Sequence, residues 1–442
     1  MVEKLKKEKY QILELIIIFI LTLLFNLICN KLTNDEIWNY GFIYNISTGL
    51  IPYKDFNMII TPLYPILGAL FLSVFGKNFL SYHIFNSIIC TTIFYNMKKT
   101  VPKNYYIIYS IFLLFSSPNY NSLCILLLYI LIQMEDKKSN DYLIGIVLGL
   151  TFLTKQNIGI YLCLPTLFIK NINKIIKRII GYIIPNIILL LYLIYNNTLY
   201  KFIDYVFLGI ESFTKENFLI DKISLILVIT SSIYLTYQYL KKKDIKIMYL
   251  LCFQLLVFPI IDQYHTMITI IPTLGYLLNK INLNKKIIIL SFIIFISTIF
   301  SLELYNIYKG YNVFPNITDE YKYRKLPCDT DKMIKEVSEY SNSVQEKLYI
   351  ISSNAYLFKL EAKIKINKYD LLNNGNLGRT GQIKLIKGIN NECSNQKCTF
   401  IIDTKELSKE EHIQYNKDII KYIMKNYKIT ESIQGYLIYK NY

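Results

Sequence analysis

Apolar runs of about the length that crosses a bilayer recur along this 442-residue chain, and short Lys-rich segments separate them. A membrane-spanning helix needs about 20 residues, so the shorter runs must include their polar ends. The eleven runs cover residues 12–29, 82–97, 105–117, 123–134, 142–153, 158–169, 179–195, 219–240, 247–261, 267–278 and 287–304. Hydrophobic residues make up 53% of the chain, whereas soluble domains usually contain about 45–50%. The pattern excludes a soluble enzyme and predicts an α-helical polytopic membrane protein.

Lys and Arg residues set the predicted orientation of the spans. Four lysines precede the first run and no small-x-small cleavage site follows it, which predicts an uncleaved span with a cytoplasmic N-terminus. A further run at 62–75 is interpreted as a helix in the outer membrane interface. The cytoplasmic connectors then carry 20 Lys and Arg residues, and the outer loops before residue 305 carry seven. This asymmetry predicts eleven spans in the cell membrane and attributes the net charge of +17 to topology rather than to nucleic-acid binding.

The chain is predicted to form two domains. Residues 1–304 form the membrane domain, which includes a first outer loop at 30–79, and residues 305–442 form a small extracytoplasmic α/β domain. In the second domain the sequence pattern predicts alternating helices and strands. The helices are expected at 331–341 and 410–427, and the strands at 348–352, 399–403 and 435–440.

The cysteines and glycines of the second domain carry two smaller predictions. Cys393 and Cys398 lie in one polar segment, where a local disulfide is expected if the segment is extracytoplasmic. The Gly- and Asn-rich segment 373–381 favours a structural turn over a phosphate cradle, because it lacks a Walker pattern and a long following helix. Five other cysteines lie in apolar runs and are interpreted as small core residues, not metal ligands.

The predicted topology sorts the unusual polar residues onto one side of the membrane. Nearly all of them fall in the outer loop 30–79 and in four shorter outer segments. Those segments are 116–122, 154–157, 196–218 and 262–266. The cytoplasmic loops are interpreted as short basic connectors without chemistry.

Two adjacent acids, Asp35 and Glu36, follow the first span. Acids at a membrane surface are costly unless they are hydrated or engaged, which makes them candidate functional residues. The alternative is helix capping, because Thr33 or Asn34 followed by two acids is also favourable at a helix N-terminus. This segment alone leaves both interpretations open.

The rest of the first outer loop favours the functional interpretation. It continues with TGLIPYKDF at 48–56 and TPLYP at 61–65. An acidic pair after the first span, a Gly-x-x-Pro-Tyr-x-Asp-Phe loop and a Pro-Leu-x-x-x-x-Gly-Ala helix together resemble the first outer loop of GT-C glycosyltransferases. These polytopic enzymes are related to protein O-mannosyltransferases and aminoarabinose transferases. The resemblance covers residues 1–170 best and is closest to the bacterial members.

The resemblance implies an inverting transfer of a sugar from a polyprenyl-phosphate carrier to a lipid, glycan or protein acceptor of the cell envelope. Asp35 matches the acid that such enzymes use as the base, and Glu36 is its neighbour. Asp55 is expected to be a second acid that orients the acceptor or shares a divalent cation; no other cofactor is expected.

A departing phosphate needs cationic or hydrogen-bonding groups near the outer leaflet. Lys155, Tyr264 and His265 are the candidates. The alternatives are a lysine that snorkels to lipid headgroups and a histidine that caps the next helix. The remaining residues expected to line the cavity are Tyr53, Asn119, Tyr120, Gln156, Asn157 and Asp262. His83 and His412 are interpreted as structural or surface residues.

Three other functional classes remain open on the sequence alone. A polysaccharide polymerase or ligase would share the outward cavity and the lipid-linked substrates. A transporter or flippase of lipid-linked sugars would place ionisable residues near the bilayer midplane, whereas here they crowd one face. A non-catalytic receptor would not need the acidic first loop.

Overall fold

The computed structural model describes residues 2–440 except 30–33, 116–118, 212–213, 215–217, 282, 310, 313–325, 353–354, 356–357, 359–376 and 405–416. The described part is 76% helical, which places the protein in the α-helical class. The helices up to residue 203 are α1 (Val2–Leu24), α2 (Asn34–Ser47), α3 (Leu63–Phe75), α4 (Phe79–Thr100), α5 (Tyr105–Phe115), α6 (Tyr120–Asp136), α7 (Asp141–Thr154), α8 (Gln156–Cys163), α9 (Ile172–Tyr195) and α10 (Leu199–Ile203). The later helices are α11 (Lys222–Lys242), α12 (Ile245–Phe253), α13 (Gln263–Leu278), α14 (Lys285–Tyr308), α15 (Cys328–Ser343), α16 (Gln382–Asn395) and α17 (Lys417–Asn426).

Asn and Asp side chains begin many of these helices. At each N-cap an oxygen of the side chain accepts a hydrogen bond from a backbone N–H one turn on, which satisfies a group that the helix itself leaves unpaired. The capping residues are Asn78, Asn119, Asn140, Asn171, Asp221, Asp244, Asp262 and Asn284. The many Asn residues of this chain therefore fix where the helices start.

Among the residues that the structure describes, four helices are long and apolar enough to cross a membrane: Glu8–Cys29, Ile172–Tyr195, Lys222–Lys242 and Lys286–Tyr308. Most of their apolar surface faces outward; Ile188, for example, is 65% exposed. Isolated apolar side chains on a protein surface are ordinary, but whole exposed apolar faces on long helices fit a lipid environment. Each of the eleven predicted runs contains helix, but the count of eleven spans stays a prediction.

Glycines bring α7 and α9 into close contact. A Cβ atom at Gly145 of α7 would lie 2.1 Å from the backbone oxygen of Arg178, and one at Gly181 of α9 would lie 2.2 Å from the backbone oxygen of Tyr142. Gly149, four residues after Gly145, likewise leaves room for a proline side chain of α9. Small residues spaced in this way let helix backbones approach each other within membranes.

Four two-residue strands come first in the chain: β1 (Leu219–Ile220), β2 (Ile260–Ile261), β3 (Tyr311–Asn312) and β4 (Leu326–Pro327). The C-terminal part adds four longer strands: β5 (Lys347–Ile351), β6 (Cys398–Asp403), β7 (Lys428–Ile433) and β8 (Tyr436–Lys440). These four strands form one sheet in the order β5–β6–β8–β7, in which only β5 and β6 run parallel. The three predicted strands and the helix at 331–341 are confirmed. The sequence analysis missed α16 and β7. A disulfide joins Cys393 to Cys398.

Two of the segments predicted as outer loops are helical. The segment 196–218 contains α10 and a π-helical turn, Asp204–Leu208. The segment predicted as the turn 262–266 is the start of α13, which Asp262 caps. The prediction of a turn at 262–266 was wrong, because polar residues at a helix N-terminus look like a loop in the sequence. A loop between spans can contain short helices, so the loop at 196–218 stays a prediction.

A contact joins the C-terminal part to this outer region. The backbone N–H of Arg379 donates to Oδ1 of Asp204 at 2.9 Å. Gly378, next to it, has φ +80°, and a Cβ atom there would lie 2.3 Å from Oδ2 of Asp204. The close approach explains glycine at this position. The expectation that no long helix follows the segment was wrong, because α16 begins at Gln382 and runs for 14 residues. Residues 373–376 of that segment lie outside the described residues, as does His412.

Candidate active site

A cavity of about 340 Å³ lies between the first turn of α6, the junction of α7 with α8, and the first turn of α13. Its polar lining comes from residues that the sequence analysis had placed on three separate outer segments. These are Tyr120, Lys155, Gln156, Asn157 and His265. The rest of the lining is mainly apolar or aromatic and includes Ile59, Tyr161, Tyr205, Leu256 and Phe258. The cavity thus combines a cationic, hydrogen-bonding region with a wall suited to hydrocarbon.

Lys155 occupies the break between α7 and α8. Its backbone is extended (φ −153°, ψ 114°), so it ends one helix and precedes the next. Its Nζ donates to Oδ1 of Asn121 at 3.2 Å and lies 5.2 Å from the centre of the Tyr120 ring. Burial lowers the pKa of Lys155, although the nearby Cys124 and Asp35 act in the opposite direction. A partly desolvated ammonium group held by neutral partners is suited to receive an anion.

Asp262 and His265 form a local pair at the start of α13. Oδ1 of Asp262 accepts the backbone N–H of His265 at 2.7 Å and lies 2.9 Å from Nδ1 of the His265 ring. Burial raises the pKa of the Asp262 carboxyl, but these hydrogen bonds and the charge of His265 outweigh it, so the pKa is lowered overall. The carboxylate therefore caps the helix and orients the imidazole at once, so the helix cap is Asp262 and not His265.

Tyr264 and Asn119 link two of the helix starts. Nδ2 of Asn119 donates to the hydroxyl oxygen of Tyr264 at 2.7 Å, while its Oδ1 caps α6. Neither residue is part of the cavity lining. Their contact instead holds the start of α6 against the start of α13.

Asp35, in the first turn of α2, lies beside this cluster. It is half-buried and does not line the cavity itself. Desolvation raises the pKa of its carboxyl, and the charge of Asp262 adds to this effect, while His265 and Lys155 lower it; the net direction is upward. Asp35, Lys155, Asp262 and His265, which come from three of the segments predicted to lie outside, are therefore close enough for their charges to interact.

Glu36 has a different environment from Asp35. Its side chain is 1% exposed, and Oε1 lies 3.4 Å from Nε2 of the fully buried His83. It therefore faces the protein core and not the cavity. His83 is a core residue, in agreement with the structural interpretation.

Asp55 and Tyr53 also lie away from the cavity lining. Oδ2 of Asp55 accepts the backbone N–H of Ile51 at 2.7 Å, and the hydroxyl of Tyr53 donates to the backbone oxygen of Ile60 at 2.8 Å. Tyr53 is fully buried, and its φ of +66° fits the tight turn that the Asp55 contact closes. Since Ile60 lines the cavity, these two residues support its wall from behind.

Gln156 fixes another part of the wall. Its Nε2 donates to the backbone oxygens of Ile59 and Val206, each at 3.2 Å. It thereby joins the first outer loop to the π-helical turn at 204–208. Within the described ranges, no group of three or more His, Cys, Asp or Glu side chains is placed to hold a metal ion.

The sequence analysis missed several residues of the site. Asn121 binds Lys155, and the segment from Leu256 to Ile260 forms much of the apolar wall. Asn121 stands directly after the expected Asn119 and Tyr120, so its position was available as a signal. The apolar wall gave no such signal in the sequence, because its residues look like any other part of a membrane span.

No protein-family model matches the chain, and neither the curated proteins nor the solved structures contain a match to it. The fold and the cavity define it as an α-helical protein with helices suited to cross a membrane.

Proposed function

We propose that the protein is an integral-membrane glycosyltransferase of the GT-C type, which moves a sugar from a polyprenyl-phosphate carrier to an acceptor of the cell envelope. One observation carries the proposal. A cation and a histidine, Lys155 and His265, line a cavity whose other walls are mainly apolar, and an acid, Asp35, lies close enough to both for their charges to shift its pKa. A lipid-linked phosphate ester needs this combination, because one end is charged and the other is hydrocarbon.

The phosphate of the donor binds beside Lys155 and His265. Both residues line the cavity, and both supply positive charge or a hydrogen bond as the leaving phosphate gains charge. The carrier chain lies along the apolar wall at Leu256 and Phe258. The sugar is then held toward Asp35.

Asp35 acts as the general base. It takes the proton of the acceptor hydroxyl while the acceptor oxygen bonds to the anomeric carbon and the bond from that carbon to the phosphate oxygen breaks. The products are the glycosylated acceptor, with inverted configuration, and the free polyprenyl phosphate. A pKa raised by burial suits this role, because a base works best when its pKa approaches the working pH.

The substitution Asp35→Asn tests the proposal. Asn keeps the size and helix-capping ability of Asp but cannot accept the proton, so turnover should fall by about 10²–10⁴-fold while the protein still inserts and binds donor. The measurement is acceptor-dependent release of polyprenyl phosphate from a panel of polyprenyl-phosphate sugars by the purified protein.

Asp55→Asn is the matched control. It makes the same chemical change in the same outer loop, but Asp55 holds a turn away from the cavity lining. We expect it to keep most of the activity. Near-normal turnover by Asp35→Asn, or an equal loss in both variants, would contradict the assignment of the base.

A further inference from the structure

A second polar cavity, of about 460 Å³, lies at the other end of α7 from the candidate active site. Four cationic side chains line it, against two carboxylates. They are Lys138, Lys174, Lys177 and Arg178, with Glu135 and Asp141. The sequence analysis had interpreted the connectors that carry these residues as basic loops without chemistry.

Arg178 engages both carboxylates. Its Nε donates to Oδ1 of Asp141 at 2.8 Å, and its Nη1 and Nη2 donate to the two oxygens of Glu135 at 2.6 and 3.1 Å. Nη1 also lies 3.1 Å from the hydroxyl of Tyr249. Arg178 is 4% exposed, so its guanidinium group and the carboxylates of Glu135 and Asp141 form a largely buried ion cluster in the cavity lining.

The three lysines are not neutralised in this way. Among the described residues, no carboxylate lies within 4 Å of the amino group of Lys138, Lys174 or Lys177. The cavity therefore keeps an excess of positive charge around a polar space that Ser139 and Asn140 also line. Such a space favours an anion with several acceptor oxygens.

A neighbouring cavity of about 360 Å³ extends the same site. It shares Glu135, Lys174 and Arg178 with the first cavity and adds one cation, Lys243, and one carboxylate, Asp244. Lys138 and Lys243 both have left-handed backbones, with φ of +49° and +53°. Glycine or asparagine usually occupies such positions, so a lysine there carries a conformational cost.

The surface beside the lysines identifies the kind of anion. On α9, Ile172, Ile176 and Ile179 are 62%, 47% and 47% exposed, next to Lys174 and Lys177. A ligand that joins a phosphate to hydrocarbon would contact both surfaces. We propose that this cavity binds the phosphate headgroup of an anionic phospholipid, whose acyl chains lie along the apolar face of α9.

The proposal goes beyond the glycosyl transfer and does not depend on it. The experiment uses the full chain in detergent with added phosphatidylglycerol or phosphatidylcholine, and native mass spectrometry counts the retained lipid. We expect phosphatidylglycerol to be retained preferentially. The double variant Lys174→Gln and Lys177→Gln should lower that retention by at least about tenfold.

The control variant is Lys241→Gln with Lys286→Gln, which removes the same charge from lysines outside both cavities. It should retain phosphatidylglycerol like the unsubstituted protein. Equal retention of the two lipids, or an equal loss in both double variants, would overturn the proposal. A third sample contains inorganic phosphate without lipid; stabilisation by phosphate alone, without lipid preference, would overturn the lipid assignment in favour of a soluble phosphate.

Discussion

Asp35 and Glu36 are adjacent in the chain but have opposite environments. Successive residues of a helix point about 100° apart, so one acid reaches the polar cluster while the other enters the core against His83. The sequence could place both acids at a functional surface, but it could not tell which of them faces the cavity. That choice depends on how α2 is rotated against α4, which tertiary packing decides.

Lys155 is expected to control the pH dependence of the proposed reaction. A base acts only when ionised, so the rate should rise with pH through the pKa of Asp35. The positive charge of Lys155 lowers that pKa. Lys155→Met should therefore raise it and move the acid limb of the kcat/KM profile to higher pH. Loss of the phosphate contact should also lower kcat/KM by about 10–100-fold, since hydrogen bonds to charged groups contribute about 1.5–3 kcal/mol.

Lys54→Met serves as the comparison, because Lys54 is exposed on the same outer loop and does not line the cavity. Its pH profile should match that of the unsubstituted protein. An unchanged acid limb in Lys155→Met would separate Lys155 from Asp35 and favour the interpretation that it only reaches toward lipid headgroups.

At the scale of elements, the sequence predicted where most helices lie but not which of them touch. The spacing of Gly145 and Gly149 could have indicated a close helix contact, yet only the structure identifies α9 as the partner. The helix α7 is also short. Its 14 residues span about 21 Å at 1.5 Å each, less than the hydrocarbon thickness of about 30 Å. An upright α7 therefore cannot cross the hydrocarbon by itself, and the polar residues that flank its two ends are needed to reach the interfaces.

Gly145→Ala is predicted to destabilise the protein. The new Cβ atom would lie 2.1 Å from the backbone oxygen of Arg178, so α7 and α9 would have to separate. Overpacking of this kind usually costs about 1–3 kcal/mol, and it should lower the Tm of the detergent-solubilised protein. Gly388→Ala is the matched control, because no atom lies within 4 Å of the corresponding Cβ position.

The control should leave the Tm unchanged or raise it slightly, since alanine favours an exposed helix over glycine by about 0.5–1 kcal/mol. If Gly145→Ala behaves like Gly388→Ala, the two helices are not in the close contact that the structure describes.

At the scale of the whole molecule, sorting loops by charge predicted only part of the cavity: Lys155, Tyr120 and His265 line it, whereas Asn119, Asp262 and Tyr264 do not. It failed for the basic connectors. The Arg178 cluster joins residues from four helices, and their pairing could not be derived from a count of charges. The number of Lys and Arg residues in a loop predicts on which side of the membrane the loop lies. It does not predict which side chains of different loops and helices contact each other.

The final prediction concerns the orientation of the whole molecule. The candidate active site and the basic cavity lie at opposite ends of α7, so a membrane that α7 crosses must separate them. With the native cysteines other than the Cys393–Cys398 pair replaced, Lys54→Cys and Lys137→Cys provide one exposed reporter for each side. A membrane-impermeant maleimide added to intact cells should label position 54 and leave position 137 unlabelled. Permeabilised cells should show both positions labelled, which controls for the reactivity of the two cysteines.

Labelling of position 137 in intact cells would place the basic cavity outside and contradict the proposed topology. Labelling of neither position would contradict it as well, because the site that is proposed to meet the lipid-linked donor would then face the cytoplasm.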